Sequence, residues 1–246
     1  MSDTEQVGPP PGESLQRHVL EPLATAESTL ETEYEEVTAE RRAFEQFKKR
    51  VAGIETVSDT AAKTTTRRSL NEKQSRGAER IRSAFRETVM DVDHYDDVYG
   101  ESLVEYAAAE LSPDIAAGLR RDVHLQFTHL YKRTLLAAVE TAIEQRETVC
   151  TTLASERKSL ARNRDRLRAL LDELDGTRVP AGTRAEFTDA LDEIASQRQE
   201  AVASRTGSPR TDGHDLCAYL YAECAWTYPV LTAVTRLRGA VNGVVT

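Results

Sequence analysis

Leu153, Leu160, Leu167 and Leu174 recur every seven residues, with Val139 in the same phase upstream. A seven-residue apolar repeat keeps facing one partner only when helices supercoil around each other, so the series demands a second helix. A parallel zipper would carry a second apolar row, but that row reads Val149, Glu156, Asn163 and Leu170. The chain supplies a partner of its own. Leu23, Leu30, Val37, Phe44 and Val51 repeat at the same interval, with a poorer second seam of Ala26, Tyr34 and Phe47. Set head to tail, the two series place Leu23 opposite Leu174, Leu30 opposite Leu167, Val37 opposite Leu160 and Phe44 opposite Leu153.

Charge selects that orientation. The first helix is acidic early (Glu27, Glu31, Glu33, Glu35, Glu36, Glu40) and basic late (Lys48, Lys49, Arg50). The long helix is likewise acidic early (Glu140, Glu144, Glu147) and basic late (Arg157, Lys158, Arg162, Arg164). Antiparallel pairing sets opposite signs together at both ends, and parallel pairing would set like against like. Each exposed pair contributes only tenths of a kcal/mol, so the value lies in choosing between orientations. The expected fold is all-α: an extended antiparallel coiled-coil hairpin, helix 14–51 against helix 125–175, with four heptads spanning about 42 Å.

The remaining segments read as smaller helices around this hairpin. Residues 1–13 form an acidic, Pro-rich leader expected to be disordered. The first helix is expected to bend near Pro22, and the linker "ETVSDTAAKTTTRRS" separates it from a helical insert at about 71–121. Within the insert, Ile81, Phe85 and Val89 share one face, and Ser112-Pro113-Asp114 is a helix start. Thr183 and Glu186 have capping-box spacing, and a C-terminal helical pair is expected over 183–242, with its last helix kinked at Pro229.

The stretch "VDHYDDVYGESLVEYAAAEL" invites a chemical reading. Asp93, Asp97 and Glu101 are candidate ligands for a hard cation, as carboxylates suit Ca²⁺ or Mg²⁺. Their spacing is not that of an EF-hand, and Gly100 argues against the one long helix that would align them. The favoured reading is a helix-entry turn, whose acids complement a helix dipole and whose Tyr95, Tyr99 and Tyr106 anchor it. Before it lies a basic segment, 63–86, whose Arg67, Arg68, Lys73, Arg76 and Arg80 are candidate nucleic-acid contacts. A net charge of -9 and the lack of a helix-turn-helix pattern disfavour that use. His214, Cys217 and Cys224 are soft ligands without a fourth, and cysteines two turns apart among Leu220 and Tyr221 read as core. No Gly-rich phosphate loop, nucleophile elbow, H-E-x-x-H pair or CxxC occurs in the chain, so enzymatic activity is disfavoured and no cofactor is expected.

Composition sets the solvent. The chain carries 41 acids against 32 bases, and arginine outnumbers lysine 26 to 6. Such a balance suits high salt, although a GC-rich genome also raises arginine. Three cysteines without a signal peptide suit a reducing cytoplasm. The apolar run 216–234 is broken by Glu223 and Pro229, so it reads as a buried helix and membrane contact is disfavoured.

Residues 85–119, "FRETVMDVDHYDDVYGESLVEYAAAELSPDIAAGL", followed by "FTHLYKRTLLAAVETAIEQRE", resemble an uncharacterised haloarchaeal helical family of the domain-of-unknown-function type. The resemblance implies a salt-adapted cytoplasmic helical protein and supplies no activity. The expected function is that of a non-enzymatic scaffold or protein-interaction protein. A protein partner is anticipated, a homodimer being one form of it. The alternatives are a DNA-associated transcriptional regulator using 63–86 and a carboxylate metal or enzyme site at 91–101. If the composition reflects salt adaptation, the melting temperature should rise as KCl goes from about 0.1 M to several molar, because the acids repel one another until screened. A flat or falling melting curve would leave genome bias as the cause.

Overall fold

Between Gly12 and Gly53 the chain has no glycine and a single proline, Pro22, and a helix runs unbroken through it. In a computed structural model that describes residues 11–56, 67–122, 127–175, 181–204 and 215–243, the fold is all-α, and no strand occurs among the described residues. The elements are α1 (Pro11–Ala52), α2 (Arg67–Arg86), α3 (Tyr95–Val98), α4 (Leu103–Glu110), α5 (Pro113–Gly118), α6 (His129–Asp175), α7 (Ala181–Ala203), α8 (Leu216–Leu220) and α9 (Pro229–Gly243). Most of the expected leader, residues 1–10, lies outside the described residues. No helix among those described is long and apolar enough to cross a membrane.

Helix α1 starts at Pro11, inside the expected leader, and α6 starts at His129 rather than 125; two further boundaries differ from expectation. Helix α7 starts at Ala181, which places Thr183 inside the helix rather than at its cap. The single kinked C-terminal helix is instead two helices, and Pro229 opens the second. Proline lacks the N–H that an interior position must donate, whereas the first turn of a helix has no use for it. Asp215 caps the earlier helix by accepting from the Cys217 N–H at 3.2 Å.

The chain divides into two compact units, one of residues 1–34 with 151–246 and the other of residues 35–150. In the first, Val19, Leu23, Ala26 and Leu30 of α1 are buried, as are Leu153, Leu160, Leu167 and Leu171 of α6. Arg164 pairs with Glu27 at 2.6 Å, Arg157 with Glu31 at 3.0 Å, and the Gln16 amide donates to Asp172 at 3.0 Å. These contacts correct the expected register. Pairing Leu30 with Leu167 would set Asp172 level with Thr25, about 13 Å along the axis from Gln16 and beyond hydrogen-bond reach. The contacts bring Leu23 level with Leu167 and Leu30 level with Leu160, one heptad along. Leu174, which this shift leaves without its expected partner, is only half-buried.

Helix α9 packs on α7, where Arg238 bonds Asp192, and it also reaches α1. Because Pro22 has no N–H, the carbonyl four residues back, on His18, lacks its helical donor. The Arg236 guanidinium supplies one at 2.6 Å while also bonding Glu21 at 3.0 Å.

The second unit is built around aromatic rings. Phe47 of α1 meets Phe85 of α2 edge-on with centroids 5.2 Å apart, and Phe85 meets Tyr106 of α4 at 6.1 Å. Tyr95 and Tyr99 stack around Tyr106 at 5.1 and 4.8 Å. Gly100, at φ 54°, ends α3 in a left-handed turn that a side chain would strain. Ser102 then caps α4, its hydroxyl accepting from the Glu105 N–H while Glu105 reaches back to the Ser102 N–H. Ser112 caps α5 in the expected place, with Pro113 in its first turn.

Replacing the missing helical donor gives Arg236 a testable role. Arg236→Gln should cost about 1 kcal/mol in urea unfolding, and clearly less in a Pro22→Ala background, where the chain's own N–H can bond His18. Equal costs in the two backgrounds would remove the link between Arg236 and the proline.

Candidate functional site

Four charged residues occupy positions that helical periodicity reserves for apolar ones. Arg146 stands in the leucine row itself, seven residues before Leu153, and Glu156 stands in the row beside it. Glu40 falls on the phase of Ala26 and Phe47, and Arg198 continues the face of Phe187, Leu191 and Ile194. All four are buried. They form two networks, one in each unit.

In the unit of residues 35–150, Glu40 of α1 is the hub, at 1% exposure. One of its oxygens accepts from the Arg146 Nε at 2.8 Å. The other accepts from the Tyr99 hydroxyl at 2.8 Å and lies 3.1 Å from the His94 Nε2. Arg146 also bonds Glu110 of α4 at 2.8 Å, and its guanidinium carbon sits 4.3 Å from the centroid of the Phe44 ring. Burial works to strip Arg146 of its proton, but the charges of Glu110 and Glu40 outweigh it and raise the guanidinium above its ordinary value. The buried Tyr106 hydroxyl makes no hydrogen bond among the described residues, and burial drives its titration far upward.

In the unit of residues 1–34 and 151–246, Arg198 of α7 meets Glu156 of α6 in a two-pronged pair, at 2.6 and 2.9 Å. Both side chains are fully buried. Arg198 also donates to the Ser159 hydroxyl and to the Cys217 Sγ, each at 3.3 Å. Burial opposes its charge, and the hydrogen bond and charge of Glu156 more than restore it. Burial pushes the Cys217 thiol up to about 12, so it is a packing group and not a nucleophile at neutral pH. Tyr221 is buried beside it, 5.5 Å from the Trp226 ring.

Both oxygens of Glu40 and of Glu156 accept hydrogen bonds. Chemically, each network holds helices in one arrangement: a buried charge stripped of its partner is far costlier than the pair itself.

The residues singled out in sequence lie elsewhere. Asp93, Asp97 and Glu101 are exposed, and no three histidine, cysteine or carboxylate side chains converge on a metal position among the described residues. The acidic stretch contributes through its rings instead: His94 and Tyr99 reach Glu40, and the Tyr95 hydroxyl donates to the Glu101 carbonyl at 2.9 Å. Of the basic candidates, Arg76 and Arg80 are exposed on α2, and the side chains of Arg67, Arg68 and Lys73 lie outside the described residues, as does His214. Arg82, on the same helix, is buried and bonds Glu79 and the Arg120 carbonyl. Periodicity carried the missed signal, because a charge at an apolar phase marks a buried pair.

A family model described as Domain of unknown function (DUF7260) matches residues 21–244, which takes in both networks. The chain belongs to that family. No curated protein and no solved structure matches the chain. The family match spans α1 from Glu21 onward through α9 and therefore includes the Glu40, Arg146, Glu156 and Arg198 positions.

The buried pair in α6 and α7 sets a sharp test. Arg198→Met strips the buried Glu156 of both guanidinium bonds and should cost about 3–5 kcal/mol in denaturant unfolding. Adding Glu156→Leu should restore most of that loss, since an apolar pair of similar volume replaces the salt bridge without an orphan. A double variant as unstable as the single one would show that the pair does more than neutralise itself.

Proposed function

We propose that the chain is a non-enzymatic scaffold or protein-interaction protein of a salt-adapted cytoplasm, built on antiparallel coiled-coil pairing of α1 with α6. The observation that carries this reading is that the buried polar side chains are used to hold helix to helix. Glu40 links α1 to α6, and Arg198 links α7 to α6, with both carboxylates saturated by donors. Within residues 1–34 and 151–246, the contacts Gln16–Asp172, Glu27–Arg164 and Glu31–Arg157 descend one helix as they ascend the other, which supports the antiparallel sense. The partner is another protein or a second copy of this chain.

The DNA-associated regulator is the second reading. The exposed Arg76 and Arg80 favour it, and the engagement of Arg82 with Glu79 weakens it.

In a cysteine-free background, cysteines at 30 and 160 should crosslink within one chain, and cysteines at 30 and 167 should do so less readily. Crosslinking only at dimer mass would make the leucine row an intermolecular seam. For the role itself, proximity labelling in the native cell should return a stable set of proteins that also recover this chain reciprocally. A preparation that carries stoichiometric divalent metal, lost on changing Asp93, Asp97 and Glu101 to Asn, would overturn the scaffold reading in favour of the carboxylate site.

A further inference from the structure

Between the end of α1 and the middle of α2 lies a cleft of about 460 Å³, lined by Lys49, Arg50, Gly53 and Ile54 on one side and by Glu79, Arg80, Ser83, Ala84 and Glu87 on the other. That volume falls within the usual range for small-ligand sites. Its charge runs against the chain. Three bases and two carboxylates line it, and both carboxylates already have partners: Glu79 bonds Arg82 at 2.7 Å and Glu87 bonds Arg50 at 2.5 Å. Arg82 holds the Glu79 carboxyl below its ordinary range, with Arg86 and Arg121 adding to the effect. The cleft lining therefore carries three bases against two carboxylates that are already paired, on a chain whose net charge is -9.

Lys49 and Arg80 face the cleft from opposite walls, and neither makes an ion pair among the described residues. The end of a helix normally repels anions through its bare carbonyls. Here those carbonyls are occupied. The Gly53 N–H bonds the Lys49 and Arg50 carbonyls, the Ile54 N–H bonds that of Val51, and the Lys132 ammonium donates to that of Ala52 at 2.6 Å. Lys132 also brings a positive charge to the same end, bonding the Ile54 carbonyl at 2.7 Å. The Arg50–Glu87 pair is half-exposed on both sides, and pairs of that kind are held weakly, so Arg50 can turn to an anion at little cost.

We propose that this cleft binds the phosphate group of a small phosphorylated molecule, with Lys49 and Arg80 as opposed cationic ligands, Arg50 as a third and the Ser83 hydroxyl available as a donor. Three cations converging from two helices match the several oxygens of a phosphate, and a fork-shaped guanidinium takes two of them at once. The bases sit on two helices either side of one cleft, whereas a nucleic-acid backbone would need them spread along one open face.

The test uses the full chain, at the lowest KCl concentration at which it is fully folded by circular dichroism, with inorganic pyrophosphate as probe in calorimetric titration. Saturable binding is expected, weakened at least tenfold in Lys49→Gln/Arg80→Gln and unchanged in Arg133→Gln, an exposed control on α6. The melting temperature of each variant is measured alongside, and Lys49→Arg should retain binding. Failure to saturate by about 10 mM, or equal affinity in the double variant and the parent, overturns the proposal. A 20-base-pair DNA duplex forms the second arm. Binding of duplex that pyrophosphate does not displace, with no binding of pyrophosphate itself, would also overturn it and assign the cleft to nucleic acid.

Discussion

Glu40 and Glu156 sit inside apolar helical rows, and each is tolerable there only because an arginine on another helix reaches it. A carboxylate moved out of water alone carries a penalty of several kcal/mol, and the penalty is offset only when a partner arrives with good geometry. Arg146 and Arg198 provide that geometry, one through its Nε and one through a two-pronged fork. The consequence is selective rather than simply stabilising. Leucines on facing helices pack nearly as well after a slip of one heptad, but a buried carboxylate that slips by one heptad loses its arginine. The charged residues therefore choose one alignment from several that the apolar rows would accept.

The same logic of satisfied polar groups runs through the smaller elements. Pro22 removes a donor from the middle of α1, and Arg236 replaces it at His18. The last carbonyls of α1 find the Gly53 and Ile54 N–H groups and the Lys132 ammonium. Ser102, Ser112 and Asp215 each accept at a helix start. Such local solutions allow a chain of scarce glycine and proline to break its helices while these backbone groups keep partners. Around Tyr106, by contrast, the hydroxyl has no partner among the described residues while its ring fills the space between Tyr95, Tyr99 and Phe85. Packing outweighs the lost hydrogen bond at that position.

A function built on these features is one of form. The networks tie helices together, and that use of buried charge is what the proposed scaffold role rests on. The exposed acids of the 91–101 stretch belong to solvent, and its aromatic rings and His94 belong to the core. The basic residues of α2 divide in the same way: Arg82 turns inward, and Arg80 turns to the cleft that it shares with Lys49.

Local rules were enough to make the chain helical, to set roughly where its long helices run, and to place the breaks at Gly100 and Ser112 in the insert, while the Ser102 cap went unread. A heptad phase, a capping hydroxyl and a glycine free to take positive φ can all be read without knowing the fold. The signal for the buried pairs was legible too, since Arg146 interrupts the leucine row and Arg198 interrupts the face of Phe187 and Leu191. Register and partnership, by contrast, emerged only when the helices packed. A seven-residue repeat looks the same after a shift of seven, so the leucines could not say whether Leu30 stands level with Leu167 or Leu160. The Gln16–Asp172 hydrogen bond, within residues 1–34 and 151–246, favours Leu160. Packing likewise assigned His94 and Tyr99 to Glu40 across more than fifty residues of chain, because a buried carboxylate accepts whichever donors the packed helices bring near, and sequence distance carries no record of that proximity.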